Sequence, residues 1–380
     1  MERALNKSGA AIRELGRVTL RDVAARVGVS HVTISLALRN HPSIPATRRA
    51  QIKKVADEMG YRPDPLLSSL VVYRHSKRPV RVQSSLVWLN HWDQPERLRG
   101  EHREFDAYWR GASSAAERFG YRLEEIRWTP DITAQRFERI LLTRGVRGVL
   151  VPPHPSVPDW GDFDWSKFSI IRFGLSVPSP DSHLVTSDQQ RATVMALQKI
   201  SSYGYQRIGM VVGDHLDRNI GGNYTGGFYA AQQLLKLRSV KSLLITEEEA
   251  YHLRPAKVKE ALRRWLAKVK PDAVLTTDIL IPAFIRELGH RIPEDIAVAG
   301  TSISDIPVDA GINQNGEAIG RTAVEMLVGL INVNERGEPP APCRILVESL
   351  WQDGKSLPRK TARGRSAPPS PPGGRAFGSG

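Results

Sequence analysis

The chain has 380 residues, 41% of them hydrophobic and 25% charged, which excludes a fibrous or wholly disordered protein and calls for two or three folded units. Its single cysteine, Cys343, excludes an internal disulfide and a cysteine-rich zinc site. Lysine and arginine number 54 against 40 acidic residues, a net charge of +14, which favours polyanionic partners without proving one.

No run of about 18 apolar residues is present, so no membrane span is expected. The first 17 residues scatter Arg3, Lys7, Arg13, Glu14 and Arg17 where a secretory signal needs an apolar core. Residues 1–17 therefore read as a flexible basic arm or a misassigned start, and the protein as cytoplasmic.

The first element is a helix: Leu20, Val23, Ala24 and Val27 fall at i, i+3, i+4 and i+7, one apolar face. Gly28 supplies a sharp turn, since glycine takes positive φ at little steric cost. Ser30 stands where an N-cap begins a second helix, with Ile34, Ala37 and Leu38 as its inner face. Two short helices joined by a glycine turn form a helix-turn-helix, whose second helix enters the major groove of DNA. After a proline-broken connection, Ala46 to Met59 carries Ile52, Val55, Ala56 and Met59 on one stripe and stops at Gly60. Residues 18–63 thus make a three-helix headpiece. Between Val18 and Asp64 eight basic residues face four acidic ones, and such a surface binds phosphates with steep salt dependence.

Residues 64–82 follow as a short apolar-polar helix and a basic linker. The run Leu66 to Tyr73 is too short to be helical alone and needs a partner surface. From Ser84 the pattern alternates. Strand-like runs are 85–89, 122–126, 148–151, 169–173, 208–212, 242–245, 273–276 and 296–300. Helix-like segments lie between most of them, for example 105–119, 134–143, 191–203, 227–237, 256–268 and 281–288. This order implies parallel sheets with helices on both faces. About 270 residues of it exceed one ordinary sheet, so residues 83–355 read as two Rossmann-like lobes, with ligands at the C-terminal strand ends and in the cleft between lobes. Residues 356–380 are rich in proline, glycine, serine and arginine with no acid, and read as a disordered tail or, alternatively, as an electrostatic helper on DNA.

Enzyme motifs are lacking. No GxGxxG follows a strand, and there is no P-loop, HExxH or nucleophile elbow. The glycine cluster Gly221 to Gly227 alone is weak evidence for phosphate binding. No catalytic residue, metal or cofactor is expected.

The stretch Thr19–Leu38, with Thr47-Arg48 and Gly60-Tyr61-Arg62-Pro63-Asp64, closely resembles the headpiece of lactose-repressor (LacI/GalR) family transcription regulators. Gly204 to Gly209 and Ile292 to Gly300 resemble that family's effector-binding core, which is similar to periplasmic sugar-binding proteins. The resemblance runs from Val18 to Leu357. The expected fold is α/β: an N-terminal three-helix helix-turn-helix headpiece plus a two-lobed periplasmic-binding-protein-like core with parallel sheets.

The resemblance implies that His31 and Val32 read base edges from the start of the recognition helix. It places Thr33 and Ser35 near phosphates or bases, with Thr19, Ser30 and Arg39 among the DNA contacts. Leu36 stands where many relatives carry an arginine, which removes the commonest guanine contact. Residues 64–72 match the hinge helix, with Leu70 as the wedge that kinks the minor groove. A homodimer on a near-palindromic double-stranded operator follows.

For the effector, the resemblance points to the residues after the first strand (Asn90, His91, Trp92), the Asp188 region, the loop Asp214–Tyr224, Asp278 and Ser302. Tyr224 replaces a usual arginine, and Thr301-Ser302 a usual aromatic-Asp pair. A sugar or related polar metabolite still fits: Trp92 and Tyr224 can stack on a ring, while Asn219, Asn223 and Asp278 can bond hydroxyls. Asp188 reads equally as a helix N-cap, and the insert 152–165 as either a wall of the cleft or a surface cap. The leading function is a ligand-responsive DNA-binding repressor. The alternative is a solute receptor of periplasmic type with no DNA role.

Overall fold

Eight-residue helices are marginal alone, and the headpiece holds three short helices by giving them one core. In the computed structural model α1 is Leu20–Val27, α2 His31–Leu38 and α3 Ala46–Glu58. Val23, Ala24, Ile34, Ala37, Ile52 and Ala56 are buried together, with Leu20, Val27, Leu38 and Met59 packed against them. A capping box opens α1: Asp22 N–H donates to Thr19 Oγ1 at 3.4 Å, and Thr19 N–H donates to the Asp22 carboxylate at 2.8 Å. The Thr19 hydroxyl also donates to that carboxylate at 2.7 Å, and this bond first, then the one from Thr19 N–H, holds the Asp22 carboxyl below its usual range. Gly28 ends α1 at φ 72°, in the left-handed region. Ser30 caps α2, its Oγ accepting from Thr33 N–H at 3.1 Å. The structure describes residues 18–38, 41, 43–61, 84–91, 103–154, 157–246 and 254–360. The N-terminal arm, Arg39, the hinge segment with Leu70, Trp92 and the chain beyond Lys360 lie outside them.

From Ser84 the elements are β1 (Ser84–Asn90), α4 (Arg103–Arg118), β2 (Tyr121–Arg127), α5 (Ala134–Thr143), β3 (Gly148–Val151), β4 (Ser169–Phe173) and β5 (His183–Ser187). Next come α6 (Gln189–Ser202), β6 (Ile208–Gly213), α7 (Asp214–Asn219), α8 (Asn223–Leu234), β7 (Leu243–Ile245), α9 (Pro255–Val269) and β8 (Ala273–Thr276). The last are α10 (Ile281–Glu287), β9 (Ala297–Gly300), β10 (Gly311–Asn313), α11 (Gly316–Val333), β11 (Arg344–Val347) and β12 (Leu350–Gln352). They form two units. The first holds the chain to Ala192, Asp214–Tyr224 and Asn313–Leu350; the second holds Thr193–Gly213, Thr225–Ile312 and the chain from Trp351.

The first unit contains a six-stranded sheet in the order β11-β5-β4-β3-β1-β2, each neighbouring pair parallel. Alternate residues of its strands face opposite sides. Leu86, Trp88, Leu150, Ile171 and Phe173 meet α4 and α11 on one side; Val87, Leu89, Val149 and Ile170 meet Phe137 of α5 on the other. Helices α4 and α11 touch backbone to backbone: a Cβ on Gly111 would lie 2.0 Å from the Glu317 carbonyl oxygen, and one on Gly320 2.0 Å from that of Tyr108. The second unit has its own six-stranded sheet, β12-β10-β9-β8-β6-β7. Its β6, β8 and β9 run parallel, and α9 and α10 cover it through Val258, Leu262, Phe284 and Ile285.

Two expectations change, and one element is added. Helix α11 lies outside the segments named from the sequence: it buries Ile319, Ala323, Val324 and Leu327 on one side and leaves Glu317, Arg321 and Glu325 exposed at i, i+4 and i+8 on the other. In the insert 152–165, Trp160 and Phe163 are buried against Trp128 and Phe137, so that part is core of the first unit. Finally, Ser356–Lys360 are not tail. Lys360 N–H donates to the Tyr203 carbonyl at 2.9 Å, and its ammonium reaches Asp272 at 2.8 Å over the Tyr205 ring. Arg359 lies 4.7 Å over Tyr203. Aromatic faces and a carboxylate hold a stretch that composition alone assigns to disorder.

Candidate functional site

The headpiece divides its polar groups between caps and outward faces. Thr19 and Ser30 cap α1 and α2, and the Ser30 and Thr33 hydroxyls lie 2.9 Å apart. His31 is exposed at the first turn of α2 and Val32 beside it is 53% exposed. Ser35 and Leu36 are half-buried. Around them, Arg21 and Arg26 on α1 are exposed, while Arg49 is tied to the His41 carbonyl at 3.2 Å. The surface thus combines exposed cations, of the kind that neutralises phosphates, with an imidazole and an apolar side chain on the second helix of the helix-turn-helix. Arg39 and Leu70 are not described.

In each sheet one position stands out physically. Where the strand order reverses, connections leave on opposite sides and open a crevice at the carboxyl ends. In the first sheet β1 lies between β2 and β3, which puts the end of β1 (Asn90, His91) and the residues after β3 (Pro152 to His154) at that point. Asn90 is fully buried and donates to Glu125 at 2.7 Å. His91 N–H donates to His154 Nε2 at 3.1 Å, His91 Nδ1 meets the Trp128 carbonyl at 2.7 Å, and His154 Nδ1 donates to the Pro152 carbonyl at 2.7 Å. With one nitrogen donating and the other accepting, His154 is held as a neutral tautomer. Burial pushes its pKa down to about 4, against the opposing pull of the Pro152 carbonyl. The His91 ring lies 5.6 Å from both Trp128 and Trp160.

The other candidates of the first unit fall near the start of α6 or on α7 and α8. Asp188 is the N-cap of α6, accepting from Arg191 N–H at 2.9 Å. Asn223 donates to Gln189 at 3.5 Å, and Gln189 donates to Thr186 at 3.2 Å. Tyr224 is buried and its N–H donates to Asp217 at 3.0 Å. Asn219 turns its amide to His215 at 2.9 Å. Sequence reasoning missed His154 and Gln189. Both follow strands, and Gln189 was hidden because β5, where His183, Thr186 and Ser187 interrupt the apolar run, was not recognised.

In the second sheet the reversal lies at β6, between β7 and β8, and Asp278 follows β8. It is 2% exposed, and its Oδ1 accepts from Leu280 N–H at 2.8 Å. Thr276 and Gly300 are paired across β8 and β9, so Asp278 and Ser302 each stand two residues past that pair. Ser302 is buried and donates to Asp305 at 3.2 Å. Trp92 lies outside the described residues. Among the described residues no three metal-ligating side chains cluster, and no helix is long and apolar enough to cross a membrane.

Residues 19–64 match the family of bacterial regulatory proteins of the lacI type, and residues 197–357 match a periplasmic binding protein-like domain. The transcriptional regulator CelR of Thermobifida fusca is 27% identical over 346 residues, spanning 88% of this chain and 96% of that protein. The regulator reg1 of Streptomyces lividans is 24% identical over 343 residues, 85% of this chain and 91% of its own. Two solved structures share the fold. A CelR–cellobiose complex has a TM-score of 0.53 at 20% identity, covering 90% of this chain and all of that one. The Lac repressor dimer bound to operator and the anti-inducer ONPF has 0.50 at 16%, covering 90% and 99%. A regulator headpiece followed by a binding-protein-like core, in one chain and in that order, places this protein in the lacI family of DNA-binding transcriptional regulators.

Proposed function

We propose that the protein is a repressor acting as a homodimer on a near-palindromic operator, with a sugar or related polar metabolite setting its affinity. Its domains are an arm (1–17), the headpiece (18–63), hinge and linker (64–82), and the effector-binding and dimerisation core from residue 83. DNA contacts come from His31, Val32, Thr33, Ser35, Leu36 and Arg39, from the caps at Thr19 and Ser30, and from Leu70 in the minor groove. Effector contacts come from Trp92, Asn219, Asn223, Tyr224, Asp278 and Ser302. The protein works in the cytoplasm and is not an enzyme. The observation that carries the reading is the headpiece: a glycine turn at φ 72° between two capped helices, followed by a binding-protein-like core. The sugar is supported by the relative CelR, one of whose structures holds cellobiose. Ligand and operator act on each other through one coupling free energy, so each changes the other's affinity by the same factor.

The test is selection of bound sequences from random DNA with the full chain, with and without a sugar panel that includes cellobiose. The reading predicts enrichment of an inverted repeat and its loss with one panel member. Failure to enrich any inverted repeat contradicts the dimeric regulator. An enzyme reading would instead need turnover of a panel sugar, which this proposal predicts to be nil.

A further inference from the structure

Helix-turn-helix geometry sends α2 into the major groove, and the outward face of this α2 is apolar. Its residues His31 to Leu38 include no acid, lysine or arginine. Ile34 and Ala37 fill the inner face and are fully buried. Val32 is 53% exposed, and Leu36, four residues on and on the same helix face, is half-buried but outside the set packed on the headpiece core. The Ser30 and Thr33 hydroxyls are engaged with each other at the cap. A valine and a leucine gain nothing from the hydrogen-bonding edges of the bases. The apolar group on the floor of the major groove is the C5-methyl of thymine.

Resting on the regulator reading above, we infer that the protein reads its operator through thymine methyls at two positions in each half-site, one covered by Val32 and the other by Leu36. His31 is the polar reader beside them. The spacing agrees: side chains at i and i+4 stand about 6 Å apart, against about 3.4 Å per base pair, so the two methyls lie one or two steps apart.

The test uses the full chain and the operator recovered by selection, with each thymine replaced in turn by deoxyuridine in both half-sites. Deoxyuridine keeps every hydrogen bond and removes only the methyl. Burial of one methyl corresponds to about fourfold in affinity, so two of the positions should each lose about fifteenfold when both half-sites are changed. Val32→Ala should abolish the effect at one position and Leu36→Ala at the other; thermal melting confirms that each variant is folded. An operator that tolerates every deoxyuridine without loss overturns the inference while leaving the regulator reading intact, since the parent operator is still bound. Losses that persist unchanged in both variants also overturn it. If selection recovers no operator, the regulator reading falls and the inference with it.

Discussion

Helices α1 and α2 are both eight residues long, and they spend their side chains differently. In α1, Leu20, Val23, Ala24 and Val27 go to the core while Arg21, Asp22 and Arg26 face water. Folding accounts for every position. In α2, Ile34, Ala37 and Leu38 go to the core, and the other side presents Val32 and Leu36 where α1 presents charges. Folding accounts for half of α2, and solvent gives no reason for the rest. The proposed recognition of thymine methyls gives that apolar outer face a purpose that folding does not.

The comparison can be broken first on the inner face. Ile34 is fully buried, and Ile34→Ala should cost about 2–5 kcal/mol, enough to unfold the headpiece; circular dichroism of the full chain and operator binding should fall together. Unchanged melting would mean that α2 is not anchored as described. The same contrast between committed and outward groups separates two histidines, exposed His31 and buried His154. His154 is neutral in the fold, with a pKa of about 4 against an ordinary 6.5. Because the unfolded chain takes up the proton first, stability is full above about pH 6.5 and declines as pH falls toward 4, by about 3 kcal/mol in all. Denaturant unfolding at pH 7 and about pH 4.5 should show that decline, reduced in His154→Gln; an equal decline in both proteins would exclude His154 as its source.

Smaller effects sharpen the account of the joint between the helices. Gly28→Ala puts a Cβ at φ 72° and should cost about 1–2 kcal/mol, although nothing lies within 4 Å of that Cβ. A neutral result would show that the turn relaxes. Thr19→Ala removes the α1 cap and should cost about 1 kcal/mol in headpiece stability, measured by thermal melting.

What was legible in the sequence follows the same division. The headpiece was readable because each of its signals is local: the Leu20, Val23, Ala24 and Val27 spacing, the Gly28 turn, the Ser30 cap and the Gly60 stop. The first sheet was readable where strands are apolar runs such as Gly148–Val151, and unreadable at His183–Ser187, where polar residues sit in a buried strand. Helix α11 escaped because its glycines serve contact with α4 rather than any local preference. At the candidate effector residues, sequence gave positions but not partners. Asp188 and Asp278 each accept a backbone N–H near the start of a helix, Asn219 is turned to His215, and Lys360 is bound to Asp272 across a long stretch of chain. Such pairings depend on where distant elements meet, and no local pattern encodes them.

The central claim is that the outer face of α2 serves recognition and not folding, and a double variant, Val32→Ala with Leu36→Ala, tests it most directly in the full chain. Thermal melting, selected-operator binding and binding to unrelated DNA are measured together. The account predicts a stability change within about 1 kcal/mol, unrelated DNA bound as before through the basic surface, and operator affinity lower by at least about tenfold. Operator affinity equal to that of the parent protein, or a loss matched on unrelated DNA, would contradict it.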